Sequence, residues 1–408
     1  MNEALPSRGG HFALPPNVPP ERVVDFDIYA PHAPGQDYFE AWLQFRTNMP
    51  YPLMWTPRNG GHWVVTRGAN VLQVYSDAAH FSVDAFGVPR AVGAQQPLGA
   101  LIKDPPEHSQ YRQFLNVGLS PRVVRDNAAA IRARAIALIE SFQGRGHCEV
   151  VRDFADVLPL SVFLDLVGLP LTDREMLAAW TAETVRGADV VARQQAFNAL
   201  AEYLAPVLAS RRGTDGSDML SAIANLAVDG VRISNDEAVG AAIHLCMAGL
   251  DTVAALLVFV LAYLARHAEE RQLLLSDPAR LQGAATEFTR RFPIVVMSRR
   301  VRHDMEFEGA QLRRDDMVTA ATMSYNLDPE IFPDPLRFDP SRRTVQLATF
   351  GHGIHRCPGA ILGRMELVIT LQEWLQRIPD FQIVDATALH TNGGIVASMP
   401  ALNLRWPV

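Results

Sequence analysis

The segment at residues 350–360, Phe-Gly-His-Gly-Ile-His-Arg-Cys-Pro-Gly-Ala, constrains this chain more than any other. Cys357 ends a glycine-rich turn, and the amphipathic run at 362–375 after it predicts a loop that leads into a helix. Pro358 suits the first helical position because it has no N–H to lose. Free backbone N–H groups and the positive end of the helix dipole favour a thiolate at such a place. We therefore expect Cys357 to be a metal ligand or a nucleophile; the alternative is a buried cysteine in an ordinary turn.

The bulk composition is that of a globular protein. The 408 residues are 48% hydrophobic and 20% charged, and this length suits one large domain or two of average size. The net charge of −7, from 37 basic and 44 acidic residues, gives no basic footprint for nucleic acid. Cys148, Cys246 and Cys357 cannot form a disulfide framework, and their odd number fits a reducing compartment. We expect a cytoplasmic protein.

Two segments bear on membrane association. Residues 1–35 form a proline-rich lead-in, and residues 1–20 lack the apolar stretch of a signal peptide. The longest apolar run, residues 253–265, is too short to span a bilayer. We interpret it as a core helix and expect no transmembrane segment.

The spacing of apolar residues predicts a mainly α chain with a small β part. Apolar residues recur at three- and four-residue intervals through most of residues 105–290. The predicted helices are 121–143, 154–168, 172–186, 192–211, 234–266 and 267–276. The predicted strands are 61–66, 294–302, 317–321 and 401–405. We find no internal repeat and no low-complexity linker, so we expect one domain over residues 1–408.

A second signal interrupts the longest helical stretch. Asp251 and Thr252 place an acid and a hydroxyl inside an apolar helix. Gly249 lowers helix propensity just before them, and Thr252 can bond back to a carbonyl one turn earlier; both features bend helices. An opened helix that carries a carboxylate and an alcohol can relay protons. The alternative is an N-cap, with the two residues starting a second helix.

Two further motifs are weak on their own. Glu287 and Arg290 share a helix face at i and i+3, a pair that is common on surfaces and contributes little. The acid and prolines at 104–107 suit a helix start, so His108 and Arg112 should lie one turn apart on one face. The forked donors of an arginine suit a carboxylate ligand, and the alternative is a surface salt bridge.

Together these motifs resemble those of the cytochrome P450 monooxygenases. Phe350, Gly353, Cys357 and Gly359 match the Phe-x-x-Gly-x-x-x-Cys-x-Gly loop of that family. The resemblance covers nearly the whole chain and is nearest to the bacterial, camphor-hydroxylating members. It implies the helix-rich, triangular P450 fold and one b-type haem. In that family the cysteine thiolate is the proximal iron ligand, and its electron donation favours O–O cleavage.

The resemblance also implies roles for the other motifs. Asp251 would control the entry of protons, and Thr252 would hydrogen-bond the oxygen being activated. Glu287 and Arg290 would form a buried ion network that fixes the cysteine loop, with Arg337 as our choice for its third member and Arg342 as the second choice. The haem propionates would be held by four donors, which are His108, Arg112, Arg299 and His355.

The same resemblance implies partners. Electrons would come from a [2Fe-2S] ferredoxin, itself reduced by a flavin-dependent reductase that uses NADH. The docking face should centre on Arg112, with Arg364 nearby. We further expect a monomer that uses O2 and a small hydrophobic substrate.

The substrate pocket departs from that of the camphor-hydroxylating members. Gly87 and Leu98 stand where those have phenylalanine, Gln96 where a tyrosine holds the substrate ketone, His244 where they have leucine and Met297 where they have aspartate. The other expected lining residues are apolar: Leu101, Met247, Ala248, Val295, Ile395 and Val396. The missing ring at Gly87 should enlarge the cavity. We expect a terpenoid or norisoprenoid ketone larger than camphor, with one hydrogen bond from Gln96 or His244, although His244 is alternatively a second iron ligand or a satisfied helix histidine.

The primary hypothesis is therefore a haem-thiolate monooxygenase. The alternatives are a peroxygenase that uses hydrogen peroxide directly and a non-catalytic haem sensor. Asp251 and Thr252 argue against both, because proton delivery matters most when oxygen is activated stepwise. A sensor also usually carries an output domain, and the sequence shows none.

Overall fold

The structure, a computed structural model, describes residues 14–33, 35–90, 102–186, 190–343 and 346–408. Helices dominate it. They are α1 Tyr38–Asn48, α2 Gly68–Ser76, α3 His108–Gly118, α4 Pro121–Gln143, α5 Val157–Val167, α6 Arg174–Arg186, α7 Val190–Arg211, α8 Met219–Ala224, α9 Asn235–Leu250, α10 Thr252–Arg266, α11 Ala268–Ser276, α12 Leu281–Arg291, α13 Thr322–Asn326 and α14 Ala360–Arg377.

Short strands make up the small β part. They are β1 Leu53–Thr56, β2 His62–Val65, β3 Phe81–Ser82, β4 His147–Glu149, β5 Ala227–Val228, β6 Val231–Arg232, β7 Val296–Val301, β8 Met305–Phe307, β9 Ala310–Leu312, β10 Met317–Ala321, β11 Gln382–Ile383 and β12 Asn403–Arg405. Five of them form a sheet in the order β1-β2-β10-β7-β3. β10 runs parallel to β2 and antiparallel to β7. Every residue of β10 is buried, and its one polar side chain, Thr319, shares a hydrogen bond of 2.8 Å with the Ser298 hydroxyl.

Capping residues set where the helices begin. Ser234 and Glu237 form a capping box at the start of α9, in which the Glu237 N–H donates to Ser234 Oγ at 3.2 Å and the Ser234 N–H donates to Glu237 Oε2 at 3.0 Å. Ser120 caps α4, and Pro121 occupies its first position. These local signals explain why both helices begin close to their predicted starts.

The largest core surrounds α10. Residues 254–262 of this helix are all buried, so α10 has no polar face. Trp374 of α14 packs its ring 5.7 Å from that of Phe142 in α4 and 5.2 Å from that of Phe154. The stretch Asn235–Arg266 is long and apolar enough to cross a membrane by length and composition, but 71% of its most apolar window is buried inside the fold. This burial confirms the interpretation of residues 253–265 as a core helix.

Most predicted elements are present, with three differences. α4 and β10 have the predicted bounds. The helix predicted from residue 154 begins at Val157, because a π-helical turn occupies Val151–Ala155. The helix predicted over 234–266 is divided into α9 and α10 at Asp251. The last helix begins at Ala360 rather than Pro358, because the backbone around residue 357 closes the preceding loop instead.

Candidate active site

The cysteine loop is shaped by two glycines with left-handed backbone. Gly351 and Gly353 both have a φ of 70°, which is costly for any residue with a Cβ. A Cβ on Gly353 would lie 2.9 Å from the Cα of Ser76 at the end of α2, so the loop approaches that helix too closely for a side chain. The N–H of Cys357 donates to the carbonyl of Phe350 at 2.7 Å, which closes the loop.

The thiol of Cys357 experiences opposing electrostatic effects. Burial among protein atoms raises its pKa; a hydrogen bond from the Gly359 backbone and the charges of Arg112 and Arg356 lower it by less. The residue as a whole is nevertheless accessible to solvent. The expectation that the loop alone favours the thiolate is therefore wrong in direction, because desolvation outweighs the neighbouring positive charge. A coordinating metal ion would supply the missing charge, since it deprotonates a thiol outright.

The four predicted propionate donors lie together beside this loop, and the positive charge among them belongs to Arg112 and Arg299. The rings of His108, at the start of α3, and His355 are 4.2 Å apart between centroids. The pKa of His355 is lowered to about 3, first by burial and then by the positive charges of His108, Arg299 and Arg112. Arg299 projects from the buried strand β7, where desolvation lowers its pKa. Segments distant in the sequence thus assemble one positively charged cluster.

Asp104 organises the cluster, although its position in the sequence predicted only a helix start. Its carboxylate accepts from the Ser82 hydroxyl at 2.5 Å and from the Val83 N–H at 3.2 Å, and it pairs with Arg302 at 2.6 Å. His355 Nε2 lies 3.9 Å from the same carboxylate. The sequence signal that could have revealed this role is the short spacing between Asp104 and His108. It places them within one turn, where the Asp104 carbonyl accepts from the His108 N–H at 3.1 Å.

The cluster has more donor capacity than the described residues satisfy. His355 Nε2 is buried without a hydrogen-bond partner in the described part of the chain. Arg299 is 6% exposed, donates to the Ser298 carbonyl at 2.9 Å and lies 5.0 Å above the ring of Tyr75. Buried cationic donors are costly unless acceptors or anions join them. The set therefore fits the carboxylate groups of a haem, which Cys357 would hold through its sulfur.

Arg112 joins the cluster to the cysteine loop. Its Nη2 donates to the carbonyl of Arg356, and its Nε donates to Asn116 Oδ1 at 3.1 Å. Arg364 lies 5.8 Å from the ring of Phe350, and burial together with the charge of Arg356 lowers its pKa. Arg112, Arg356 and Arg364 thus make the surface beside the loop basic.

A buried ion network lies at the base of the loop. Glu287 accepts two bonds from Arg290, both at 2.8 Å, and Arg290 is fully buried. Arg342 Nε and the Asp339 N–H add two further bonds to the Glu287 carboxylate, both at 3.2 Å. The choice of Arg337 as the third member is wrong: that residue contributes its backbone carbonyl, which accepts from Arg290 at 3.2 Å. The turn in which the Arg342 N–H donates to the Asp339 carbonyl at 3.0 Å brings Arg342 back over α12.

Asn326 connects this network to the cysteine loop. Arg290 donates to the Asn326 carbonyl at 2.9 Å, and the Asn326 side chain donates to Thr349 Oγ1 at 2.5 Å. The Ala348 N–H in turn donates to the Asn326 side chain at 2.9 Å. Residues 348–349 directly precede Phe350, so the position of the loop depends on the buried network.

The helix opening predicted at Asp251 is present. Asp251 has φ −109° and ψ −37°, is 5% exposed and makes no capping hydrogen bond to α10. Thr252 Oγ1 donates across the break to the Ala248 carbonyl at 3.5 Å. The alternative interpretation, an N-cap that starts a second helix, is correct in one respect. A second helix does start at Thr252, but it begins without a side-chain cap. Gly249 fits closely here, since a Cβ would lie 2.5 Å from the ring of Phe163.

Part of the predicted pocket is brought together. A Cβ on Gly87 would lie 3.6 Å from Ile395 Cδ1, and Val295 pairs with Val396 in an isolated bridge. Met297 and Arg299 share one face of β7, because side chains alternate along a strand. The remaining described pocket residues are His244, Met247 and Ala248, in the last turns of α9. Gln96, Leu98 and Leu101 lie outside the described residues.

Comparison with known proteins agrees with this site. A family model described as Cytochrome P450 matches residues 281–383. The probable cytochrome P450 127A1 of Sinorhizobium fredii is 35% identical over 403 residues, which are 96% of this chain and 97% of that protein. The steroid C26-monooxygenase of Mycolicibacterium smegmatis is 31% identical over 356 residues, 85% of this chain and 86% of that protein. The crystal structure of CYP101J2 has a TM-score of 0.90 at 39% identity and covers 97% of this chain and 100% of that one.

The fold and these relatives define an oxidoreductase of the monooxygenase class with a haem cofactor. The chain belongs to the cytochrome P450 family.

Proposed function

We propose that this protein hydroxylates a small hydrophobic substrate of the terpenoid or norisoprenoid type. It uses O2 and electrons from a [2Fe-2S] ferredoxin, which a flavin-dependent reductase reduces. The observation that supports the proposal is the position of Cys357 beside the donor cluster, in which the buried His355 Nε2 has no hydrogen-bond partner among the described residues. The break in the apolar helix at Asp251 adds the means to deliver protons.

Cys357 would bind the haem iron through its sulfur, and the propionates would accept hydrogen bonds from the cationic cluster. Those donors are His108, Arg112, Arg299 and His355. When bound, the haem supplies the iron chemistry that activates dioxygen. The network of Glu287, Arg290 and Arg342 would hold the sulfur in place through Asn326 and the residues before Phe350.

Thr252 and Asp251 would supply the protons. The Thr252 hydroxyl donates to the Ala248 carbonyl through a long, weak hydrogen bond. It can therefore turn towards a reacting oxygen at little cost in free energy. The Asp251 carboxylate would take a proton from water and pass it on to that hydroxyl. This arrangement favours O2 with stepwise electron delivery over direct use of peroxide.

The pocket residues would select the substrate. Gly87, Val295, Ile395 and Val396 would offer apolar contact, and the absence of a side chain at Gly87 would leave room for substrate beside Ile395. The substrate ketone would accept a hydrogen bond from Gln96 or His244.

The ferredoxin would dock on the surface beside the cysteine loop. Arg112 and Arg364 give this surface positive charge that suits an acidic partner. Ile354 and Ile361 are 42% and 44% exposed in the same region, so the surface also offers apolar contact.

The ferrous–CO spectrum of the purified holoenzyme tests the iron ligand. We expect the red-shifted Soret band of a thiolate haem, and we expect Cys357→Ser to move it to the position of an ordinary haem. Cys246→Ala, in the buried part of α9, is the matched control and should leave the band unchanged. An ordinary Soret band in fresh wild-type protein would refute ligation by Cys357.

Substrate class is tested by the low- to high-spin shift with a panel of terpenoids that ranges from camphor to the larger β-ionone. We expect larger shifts with the larger ketones. Gly87→Phe should reverse that preference, because its ring would occupy the space in front of Ile395. An unchanged ranking in the variant would remove Gly87 from the pocket.

A further inference from the structure

Two backbone segments face each other across the proposed pocket, one carrying Gly87 and the other carrying Ile395. Strand β7 holds both of them. The Ser298 N–H donates to the Phe86 carbonyl at 2.8 Å, and the Val296 N–H donates to the Ile395 carbonyl at 2.9 Å. The first of these bonds holds the segment 86–88 at one end, so the position of its other end decides how wide the gap between the two segments is.

Tyr29 holds that other end. Its hydroxyl donates to the Val88 carbonyl at 2.7 Å and accepts from the Val88 N–H at 3.3 Å. Val88 is buried, and a buried carbonyl that loses its partner is costly, so the bond resists displacement of the segment. Burial also raises the pKa of Tyr29, so the hydroxyl keeps the proton that it donates.

The same tyrosine contacts the segment that carries Ile395. A Cβ on Gly393 would collide with the carbonyl oxygen of Tyr29, so the two backbones touch. Tyr29 therefore reaches the segment 86–88 through its side chain and the segment 393–395 through its backbone. It completes a frame around the two segments that β7 begins.

A turn at Asp27 fixes the position of Tyr29. One oxygen of the Asp27 carboxylate accepts from the Tyr29 N–H at 2.9 Å and from the Asn59 side chain at 2.9 Å. Asn59 lies in the turn directly before β2, so these bonds connect Tyr29 to the five-stranded sheet. A side chain anchored in this way can set a distance between two other segments.

We propose that Tyr29 is a positioning residue that determines substrate size by fixing the gap between Gly87 and Ile395. Around the Cβ position of Gly87, Ile395 Cδ1 lies at 3.6 Å and the Tyr29 hydroxyl oxygen at 4.0 Å, so both side chains bound the space that the glycine leaves. Because the frame holds the wall in place, a ketone is selected by the width of the gap. The inference rests on the pocket assignment proposed above.

A double-mutant cycle on ligand binding tests the proposal without turnover. Gly87→Ala adds a methyl group that the fold accepts, because its neighbours lie at ordinary van der Waals distance. With the wall fixed, this methyl should weaken β-ionone binding several-fold, as measured by titrating the low- to high-spin shift of the holoenzyme. In the Tyr29→Phe background the segment 86–88 can move back, so the same methyl should have a much smaller effect.

Tyr203→Phe is the matched control. The Tyr203 hydroxyl also donates to a residue distant in the sequence, Asp173 at 2.5 Å, but Tyr203 lies on α7 and is not part of the frame. In that background Gly87→Ala should weaken β-ionone binding as much as it does in the wild type. A tyrosine that contributes only to stability would give the same additive result at position 29.

The outcomes separate this inference from the proposed pocket. If neither Gly87→Ala nor Gly87→Phe alters the binding of camphor or β-ionone, the pocket assignment fails. If Gly87→Ala weakens β-ionone binding equally with and without the Tyr29 hydroxyl, the inference about Tyr29 fails alone.

Discussion

The two sides of the haem site are built in opposite ways. On the cysteine side, Arg290 is fully buried and its hydrogen bonds link Glu287 to the residues before the loop. On the oxygen side, Thr252 has one long bond of 3.5 Å, and a cleft leads to Asp251. A metal ligand must be held in one position, whereas groups that carry protons must stay in contact with water. The same site therefore needs a rigid half and an open half.

The largest effect should come from the buried network. Arg290→Ala would leave the Glu287 carboxylate buried without its main partner, and we expect a loss of about 3–5 kcal/mol in the free energy of unfolding. Arg280→Ala is the matched control, because Arg280 pairs with Asp277 at the same i, i+3 spacing but half exposed, and should cost about 0–1 kcal/mol. Urea unfolding of the holoenzyme measures both. Similar losses in the two variants would contradict a rigid cysteine side.

The next largest effect separates Arg342 from Arg337. Arg342→Ala removes a bond to the buried Glu287 carboxylate and should cost about 1–3 kcal/mol. Arg337→Ala keeps the carbonyl that bonds to Arg290 and should change stability by about 0.5 kcal/mol or less. The same urea measurement applies. A greater loss for Arg337→Ala would return that residue to the network.

A smaller effect is expected at the helix break. Gly249→Ala would bring a Cβ to 2.5 Å from the ring of Phe163, an overpacking that costs about 1–3 kcal/mol and is offset by about 1 kcal/mol of helix propensity. Gly144→Ala is the control, because no atom lies within 4 Å of its Cβ position and its φ of −70° suits alanine. Thermal unfolding should therefore show a lower melting temperature than wild type for Gly249→Ala and a higher one for Gly144→Ala.

The smallest change in stability should accompany a large change in chemistry. Thr252→Ala removes a bond at the outer limit of hydrogen-bonding distance, so the free energy of unfolding should change by about 0.5 kcal/mol or less. NADH consumption should continue, while hydroxylated product falls and hydrogen peroxide rises. Thr252→Ser keeps the hydroxyl and should retain coupling. Unchanged product yield in Thr252→Ala would remove Thr252 from the mechanism.

The sequence predicted local features better than features that depend on a distant turn. The cysteine loop and the break at Asp251 depend on glycines and on adjacent residues, so their patterns could be recognised directly. Arg337 and Arg342 were equivalent in the sequence, and only the turn at Asp339 shows which guanidinium reaches Glu287. The direction of the Cys357 pKa was wrong, because the extent of burial around a sulfur cannot be read from its neighbours in the chain.

Asp104 has a consequence for how the protein survives in a cell. Its one negative charge pairs with Arg302, and His355 beside it is neutral at a pKa of about 3, which leaves the charges of Arg112 and Arg299 in excess. A dianionic cofactor is then the counter-ion of the native state, and its binding free energy adds to that of folding. Scarcity of iron or of porphyrin would therefore lower the amount of the protein as well as its activity, because chains without the cofactor unfold more often and are degraded.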